Sequence, residues 1–252
     1  LFERKGKKLI ALTALGQRVM DEVATINQAK LNIQAIASDF LDCNKGTIHI
    51  ATTHTQAKYF LPHPIQRFRA KYPGIRIYIV QASPEQLVDQ LHAHKADIAI
   101  CTEKVNEDAE LITRHCYEWH HAAVMPKGHP LCEGELTCER LTAFPILTYS
   151  LGFTGRSAIE RAFQQSGHQL DIILAAADTD VIKTYVHLNL GVGIIARMAY
   201  DSQADHGLVV RDLSHIIPKS ITKIAYLKQN YLPLYSQHFI EELLVAAREI
   251  SA

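Results

Sequence analysis

The chain lacks any surplus of charge: 26 lysines and arginines stand against 26 aspartates and glutamates. No global field therefore draws it toward nucleic acid or an anionic membrane. It also lacks an apolar run long enough to span a bilayer. Its five cysteines (Cys43, Cys101, Cys116, Cys132 and Cys138) are odd in number and have no framework spacing. A disulfide scaffold is thereby excluded, and reduced thiols in a cytoplasmic protein are the expectation. The spacings CxxC, HExxH and Gly-x-Ser-x-Gly are all missing. His115, Cys116, His120 and His121 offer metal-ligand types, but alternation along a strand sends neighbours to opposite faces. Gly191-Val192-Gly193 lies after a helix and before a strand, the reverse of a dinucleotide fingerprint, and reads as a helix end and turn. No metal site, cofactor or catalytic residue is expected, and the chain is not read as an enzyme.

What is present begins at Gly46-Thr47-Ile48-His49-Ile50-Ala51-Thr52-Thr53-His54-Thr55-Gln56-Ala57. Thr47 to Ala51 is a β-branched run that reads as a buried strand, and a helical period starts at Tyr59 and Phe60. Between them lie hydroxyls, a histidine and a glutamine, with no carboxylate. A strand opening directly into a helix presents free N–H groups and the positive end of the helix dipole, which favours an anion. One threonine there would be an ordinary cap. The polar run of Thr52 to Gln56 exceeds what a cap requires.

A second polar knot, Thr148-Tyr149-Ser150-Leu151-Gly152-Phe153-Thr154-Gly155-Arg156-Ser157, repeats this logic, and Thr102 follows the end of another strand. If parallel strands of two lobes face one cleft, the three segments converge on it. Their guest would be a small anion held by neutral donors. A fully ionised oxyanion such as sulfate needs only donors, whereas hydrogen phosphate also needs an acceptor for its proton, so sulfate is favoured. Tyr117 and Trp119 face one side of an extended segment at the lobe crossing, as cleft wall or core. Asp178 and Asp180 read as helix N-terminal residues.

Residues 1–16 are basic and too short to fold alone, and the chain opens at Leu1 as if in mid-domain, so it is expected to be a fragment. Thr13 precedes a long helix over 17–42. Its positions Val19, Val23, Ile26, Ile33, Ala37 and Phe40 form a heptad seam over about three repeats. The polar character of the other faces argues that this seam meets a partner helix. From Gly46 onward strands and helices alternate, as in parallel sheets covered by helices. The fold expected is α/β, two Rossmann-like lobes with a central cleft behind a long linker helix. The expected divisions are a 1–16 remnant, a 17–45 linker helix, a first lobe over 46–118 and 227–252, and a second lobe over 119–226.

The basic start, the heptad helix and the segments Ala51-Thr52-Thr53-His54-Thr55-Gln56-Ala57, Cys116-Tyr117-Glu118-Trp119, Thr148 to Ser157 and Asp178 to Val186 together resemble LysR-type transcriptional regulators. Among these they are most similar to the CysB/Cbl regulators of sulfur assimilation. The resemblance covers essentially the whole chain. It implies a remnant of a winged helix-turn-helix head, a dimerising linker and an effector domain like a type II periplasmic binding protein. It implies an anion and inducer site at Thr53, Thr55, Gln56, Thr102 and Thr154, with Tyr117 and Trp119 nearby. Sulfate or a related anion and acetylserine-type inducers are the implied ligands. DNA, bound through the absent N-terminal domain, and a homodimer or homotetramer are the implied partners. Thr148-Tyr149-Ser150-Leu151 departs from the pattern, where an aromatic before Gly152 is expected. The alternative is a sulfate- or solute-binding protein of the same fold, which would lack residues 1–42.

Overall fold

The computed structural model describes residues 1–41, 44–102, 104–105, 108–153 and 155–251. The basic start is a hairpin of β1 (Phe2–Lys5) and β2 (Lys8–Leu12), turned at Gly6 with φ of 66°. The sequence reading assigned it no strands. Helix α1 (Ala14–Leu41) then begins where Thr13 caps it, Gly16 N donating to Thr13 Oγ1 at 3.0 Å.

Two faces of α1 do different work. The seam is bare: Ile26, Ile33 and Phe40 are 69%, 68% and 92% exposed. At 3.6 residues per turn, Gln28, Asn32 and Asp39 fall on another face, about 120° around the helix. That face docks on the rest of the chain through polar bonds rather than apolar packing. Asn32 Nδ2 donates to Gln229 O at 2.8 Å, and Asn32 Oδ1 accepts from Tyr231 N at 2.9 Å. Asp39 Oδ2 accepts from Tyr231 Oη at 2.9 Å and from Leu234 N at 2.8 Å. Leu234 is the first residue of α7 (Leu234–Ser251), so a carboxylate of one helix caps another.

Beyond α1 the chain builds two five-stranded sheets. The first has the order β4-β3-β5-β12-β6, from Ile75–Gln81, Gly46–Thr52, Ile98–Cys101, Ser220–Leu227 and Leu111–Trp119. The second has the order β11-β7-β10-β8-β9, from Leu208–Asp212, His121–Pro126, Val192–Ala196, Ile146–Tyr149 and Ile172–Ala176. In each sheet four strands run one way and one runs against them: β12 lies reversed between β5 and β6, and β7 lies reversed between β10 and β11. Helices α3 (Pro84–His92), α5 (Arg156–Gln165) and α6 (Thr179–His187) follow their strands as the alternation requires. The short α4 (Cys138–Thr142) and strand β11 were not foreseen.

The expected lobe boundary at 226/227 differs from this topology. All of β12 pairs in the first sheet, Ile224 opposite Ile100 of β5 and Thr222 opposite Tyr117 of β6. The chain therefore recrosses between Asp212 and Ser220. A strand's own alternation does not encode which sheet it joins, so the return point was invisible locally. The apolar period after β3 predicts one continuous helix over 55–71, and the structure divides it. A π-helical turn, Gln56–Phe60, closes with Leu61 N on Gln56 O at 3.0 Å, and α2 (Pro62–Lys71) starts anew. Pro62 and Pro64 have no N–H to continue the earlier ladder, which ends it there.

Each lobe has its own apolar centre. In the first, Phe68 of α2 meets Phe239 of α7 edge-on at 5.1 Å between ring centres, over Ile48 and Ile50 of β3. In the second, Ile159 and Phe163 of α5 pack on Ile146 and Ile194. The β12–β6 register slips between Thr222 and Lys223, which face Tyr117 and His115, leaving Cys116 as the extra residue of a bulge. Burial pushes the Cys116 thiol up to about 12, so it stays protonated and inert.

The Asp39→Ala variant is expected to lose about 1–2 kcal/mol of stability, the ordinary cost of removing a helix cap. It should also expose α1 to faster proteolysis. Urea unfolding and limited digestion check this, and unchanged behaviour in both would mean that the polar face does not hold α1 in place.

Candidate effector site at the lobe junction

The site starts at the end of β3. Thr52 is committed to the sheet, its Oγ1 donating to Ile100 O at 2.9 Å. Thr53, Thr55 and Gln56 then turn into the π-helical segment at the lobe junction, and all three are buried. Thr55 Oγ1 lies 3.5 Å from Thr179 Oγ1 of α6, across the junction. Thr179 Oγ1 is in turn 2.8 Å from the Tyr149 hydroxyl, which also accepts from Ala196 N at 2.9 Å.

A second set of bonds runs along β6 and β12. The Tyr117 hydroxyl donates to Gln56 Oε1. Gln56 Nε2 donates to Thr222 Oγ1 at 3.3 Å, and Thr222 Oγ1 is 3.4 Å from Thr102 Oγ1. Trp119 Nε1 donates to the same Thr102 oxygen at 3.3 Å. Burial raises the pKa of both Tyr117 and Tyr149, so their hydroxyls remain donors at neutral pH. Five of the seven residues expected from sequence (Thr55, Gln56, Thr102, Tyr117 and Trp119) therefore meet in bonded sets at one place. Thr53 adjoins them in sequence at the strand end, and Thr154 lies outside the described residues.

The chain from Gly155 onward is anchored at the lobe crossing. Gly155 has φ of 72°, and a Cβ there would sit 2.6 Å from His121 Cε1 and 3.2 Å from Trp119 Cη2. Only glycine permits that approach. The start of α5 is thus pressed against the crossing between β6 and β7, where the Trp119 and His121 rings stand 4.8 Å apart. Arg156 is buried and turned inward, donating to Tyr149 O at 2.5 Å and to Glu160 Oε1 at 2.8 Å. Its charge is met by Glu160.

Residues outside the expected set of seven complete the junction. Thr222, Thr179 and Tyr149 enter the hydroxyl sets by long-range pairing. His54 Nε2 is 2.9 Å from Asp178 Oδ2 across the junction, and its Nδ1 is 3.0 Å from Gln81 Oε1. Lys58 pairs with Asp180, which also accepts from the Tyr59 hydroxyl at 2.6 Å. Asp178 is the N-cap of α6 as expected, accepting from Asp180 N at 2.7 Å. His54, Asp178 and Asp180 are of metal-ligand type and lie together, but Lys58 already meets the charge of Asp180. Burial works to raise the Asp180 carboxyl, and bonds from Lys58 and Tyr59 outweigh it and hold the group below its ordinary value.

Chemically, the junction offers hydroxyl, amide and indole donors at the end of a parallel strand, with Asp178 bonded to His54 and Asp180 to Lys58 and Tyr59. It has no nucleophile–base pair among the described residues it gathers. Two such α/β lobes with facing strand ends and a long leading helix define a ligand-sensing effector domain of the type II periplasmic-binding-protein-like fold. Residues 43–248 match the LysR substrate binding domain, and the chain belongs to that family. It is 41% identical over 242 residues to the HTH-type transcriptional regulator SsuR of Burkholderia cenocepacia, covering 96% of this chain and 79% of that protein. It is 40% identical to the HTH-type transcriptional regulator CysB of Haemophilus influenzae, covering 96% of this chain and 75% of that one. The crystal structure of the cofactor-binding domain of the Cbl transcriptional regulator superposes with a TM-score of 0.77 at 35% identity, covering 82% of this chain and 92% of that one. These relatives are transcriptional regulators, not enzymes. Among the described residues no helix is long and apolar enough to cross a membrane.

The lowered Asp180 carboxyl sets a pH dependence. Its stabilising ion pair is fully present above the ordinary value of 3.8 and is lost as pH falls through the lower folded value. Asp180→Asn is therefore expected to melt earlier than the parent at neutral pH, by about 1 kcal/mol or less for so exposed a pair. The two melting curves should converge in strong acid. A difference that is flat across the acid range would show that the pair does not stabilise the junction.

Proposed function

We propose that the chain is the sensing part of a LysR-type regulator of sulfur assimilation and cysteine biosynthesis. It binds sulfate or a related small anion, and an acetylserine-type inducer, between the lobes. Thr53, Thr55, Gln56, Thr102 and Thr154 supply the contacts, with Tyr117 and Trp119 behind them. The observation that carries this reading is the buried set of neutral donors at the junction, with Asp178 and Asp180 already bonded to His54, Lys58 and Tyr59. A dianion without a proton can take up those donors, whereas hydrogen phosphate would need an acceptor as well.

Because Thr55 and Thr179 come from different lobes, a ligand between them has different affinity for different lobe arrangements. It shifts their populations, and the linker helix carries the shift to DNA-binding heads in a cytoplasmic homodimer or homotetramer. A solute-binding protein would share the cleft logic. The exposed apolar seam of α1 favours the regulator, since a monomeric carrier has no use for it.

Calorimetric titration with sulfate, thiosulfate, O-acetylserine and N-acetylserine tests the reading, with phosphate as control. Saturable binding of sulfate or an acetylserine is expected, weakened at least about tenfold, or 1.4 kcal/mol, in Thr55→Ala and Thr154→Ala. The emission of Trp119, the single tryptophan, should report the same event, because its N–H bonds Thr102. Folded protein that binds none of these ligands would overturn the assignment.

A further inference from the structure

Thr102 belongs to two places at once. Its hydroxyl is within bonding distance of Thr222 and Trp119, and the residue also lines an open groove of about 390 Å³. That groove runs between the lobes. Ala158, Arg161 and Gln165 of α5 form one wall, and the return crossing with β12 forms the other, including Lys219, Ser220 and Lys223. In a chain of zero net charge, three cationic side chains thus gather beside a site built from neutral donors.

The commitments of Arg161 and Lys219 are slight. Arg161 Nε donates to Ser157 O at 3.2 Å, and its terminal nitrogens have no partner among the described residues. Lys219 meets Glu118 at 3.2 Å, with both side chains about half exposed or more. Such a pair contributes little and exchanges readily. The small residues Ala158 and Ala162 keep the α5 wall low, which leaves room for a ligand group rather than a packed side chain. A volume of this size fits the small end of ordinary ligand sites.

We propose that this groove holds a second anionic group of the effector, in contact with Arg161 and Lys219. The ligand class is then a short organic dianion. Its oxyanion head is held by the hydroxyl set, and a carboxylate or similar group one or two carbons away passes Thr102 into the groove. Arginine suits this task because its planar fork matches a carboxylate in two-point contact. As the groove has one wall from each lobe, the second group adds to the ligand's preference for one lobe arrangement. The inference rests on the anion reading of the junction.

The test compares sulfate with sulfoacetate on the parent protein and on Arg161→Gln/Lys219→Gln, by calorimetry and Trp119 emission. Sulfoacetate is expected to bind the parent and to weaken at least about tenfold in the variant, while sulfate changes less than about threefold, as screened surface charge allows. If sulfate binds and sulfoacetate does not, or if both weaken equally, the groove assignment is overturned and the anion site stands. If sulfoacetate binds in an Arg161-dependent way and sulfate does not, the groove stands and inorganic sulfate is excluded as a ligand. If neither binds, both fall together.

Discussion

A polar group taken out of water must find a partner, and at the lobe junction the partners are other polar groups. Thr55, Gln56, Thr102, Tyr117 and Thr222 are held at the meeting of two α/β lobes where little solvent reaches. Each therefore bonds a neighbour, and the neighbours come from different strands and, through Thr179, from the other lobe. These hydroxyls can rotate, so the same donors that close the junction can be re-aimed at a guest without unfolding anything. The exchange is close to neutral in hydrogen bonds, which lets a modest ligand decide the balance.

Two local devices make that exchange possible. The π-helical turn at Gln56–Phe60 brings Thr55 and Gln56 into the junction before α2 departs at Pro62. A continuous α-helix from Thr55 would carry these side chains around a tighter spiral. The bulge at Cys116 sets Tyr117 opposite Thr222, and Trp119, at the strand's end, reaches Thr102. On the other lobe, the bare backbone of Gly155 lets the start of α5 rest on the Trp119–His121 pair. The crossing strands thus touch donors of one lobe and a helix start of the other.

Much of this was legible before any coordinates. Period and punctuation predict strands over 47–51, 75–80, 97–101 and 192–196, where β3, β4, β5 and β10 lie, and Ser83 with Pro84 marks a helix start that carries a full capping box. The polar run after β3 stood out because its residue types exceed what capping requires. What stayed hidden depends on register across long separations. Thr222 lies 166 positions from Gln56, and only the pairing of β12 with β5 and β6 makes them neighbours. The same pairing moved the lobe boundary. The pairings of His54 and Lys58 stayed hidden because their partners, Asp178 and Asp180, sit at the start of a helix of the other lobe. The π-helical turn left no trace beyond the two prolines that follow it.

Helix α1 carries its apolar seam on one side and the Asn32–Asp39 clasp about a third of a turn away. A helix that pairs along the seam uses none of the clasp residues, so the two contacts draw on different side chains. The two surfaces can then change independently over generations. Substitutions along the seam alter the choice and number of partners, while the ligand site and its tether stay as they are. One sensor body can serve assemblies of different shape.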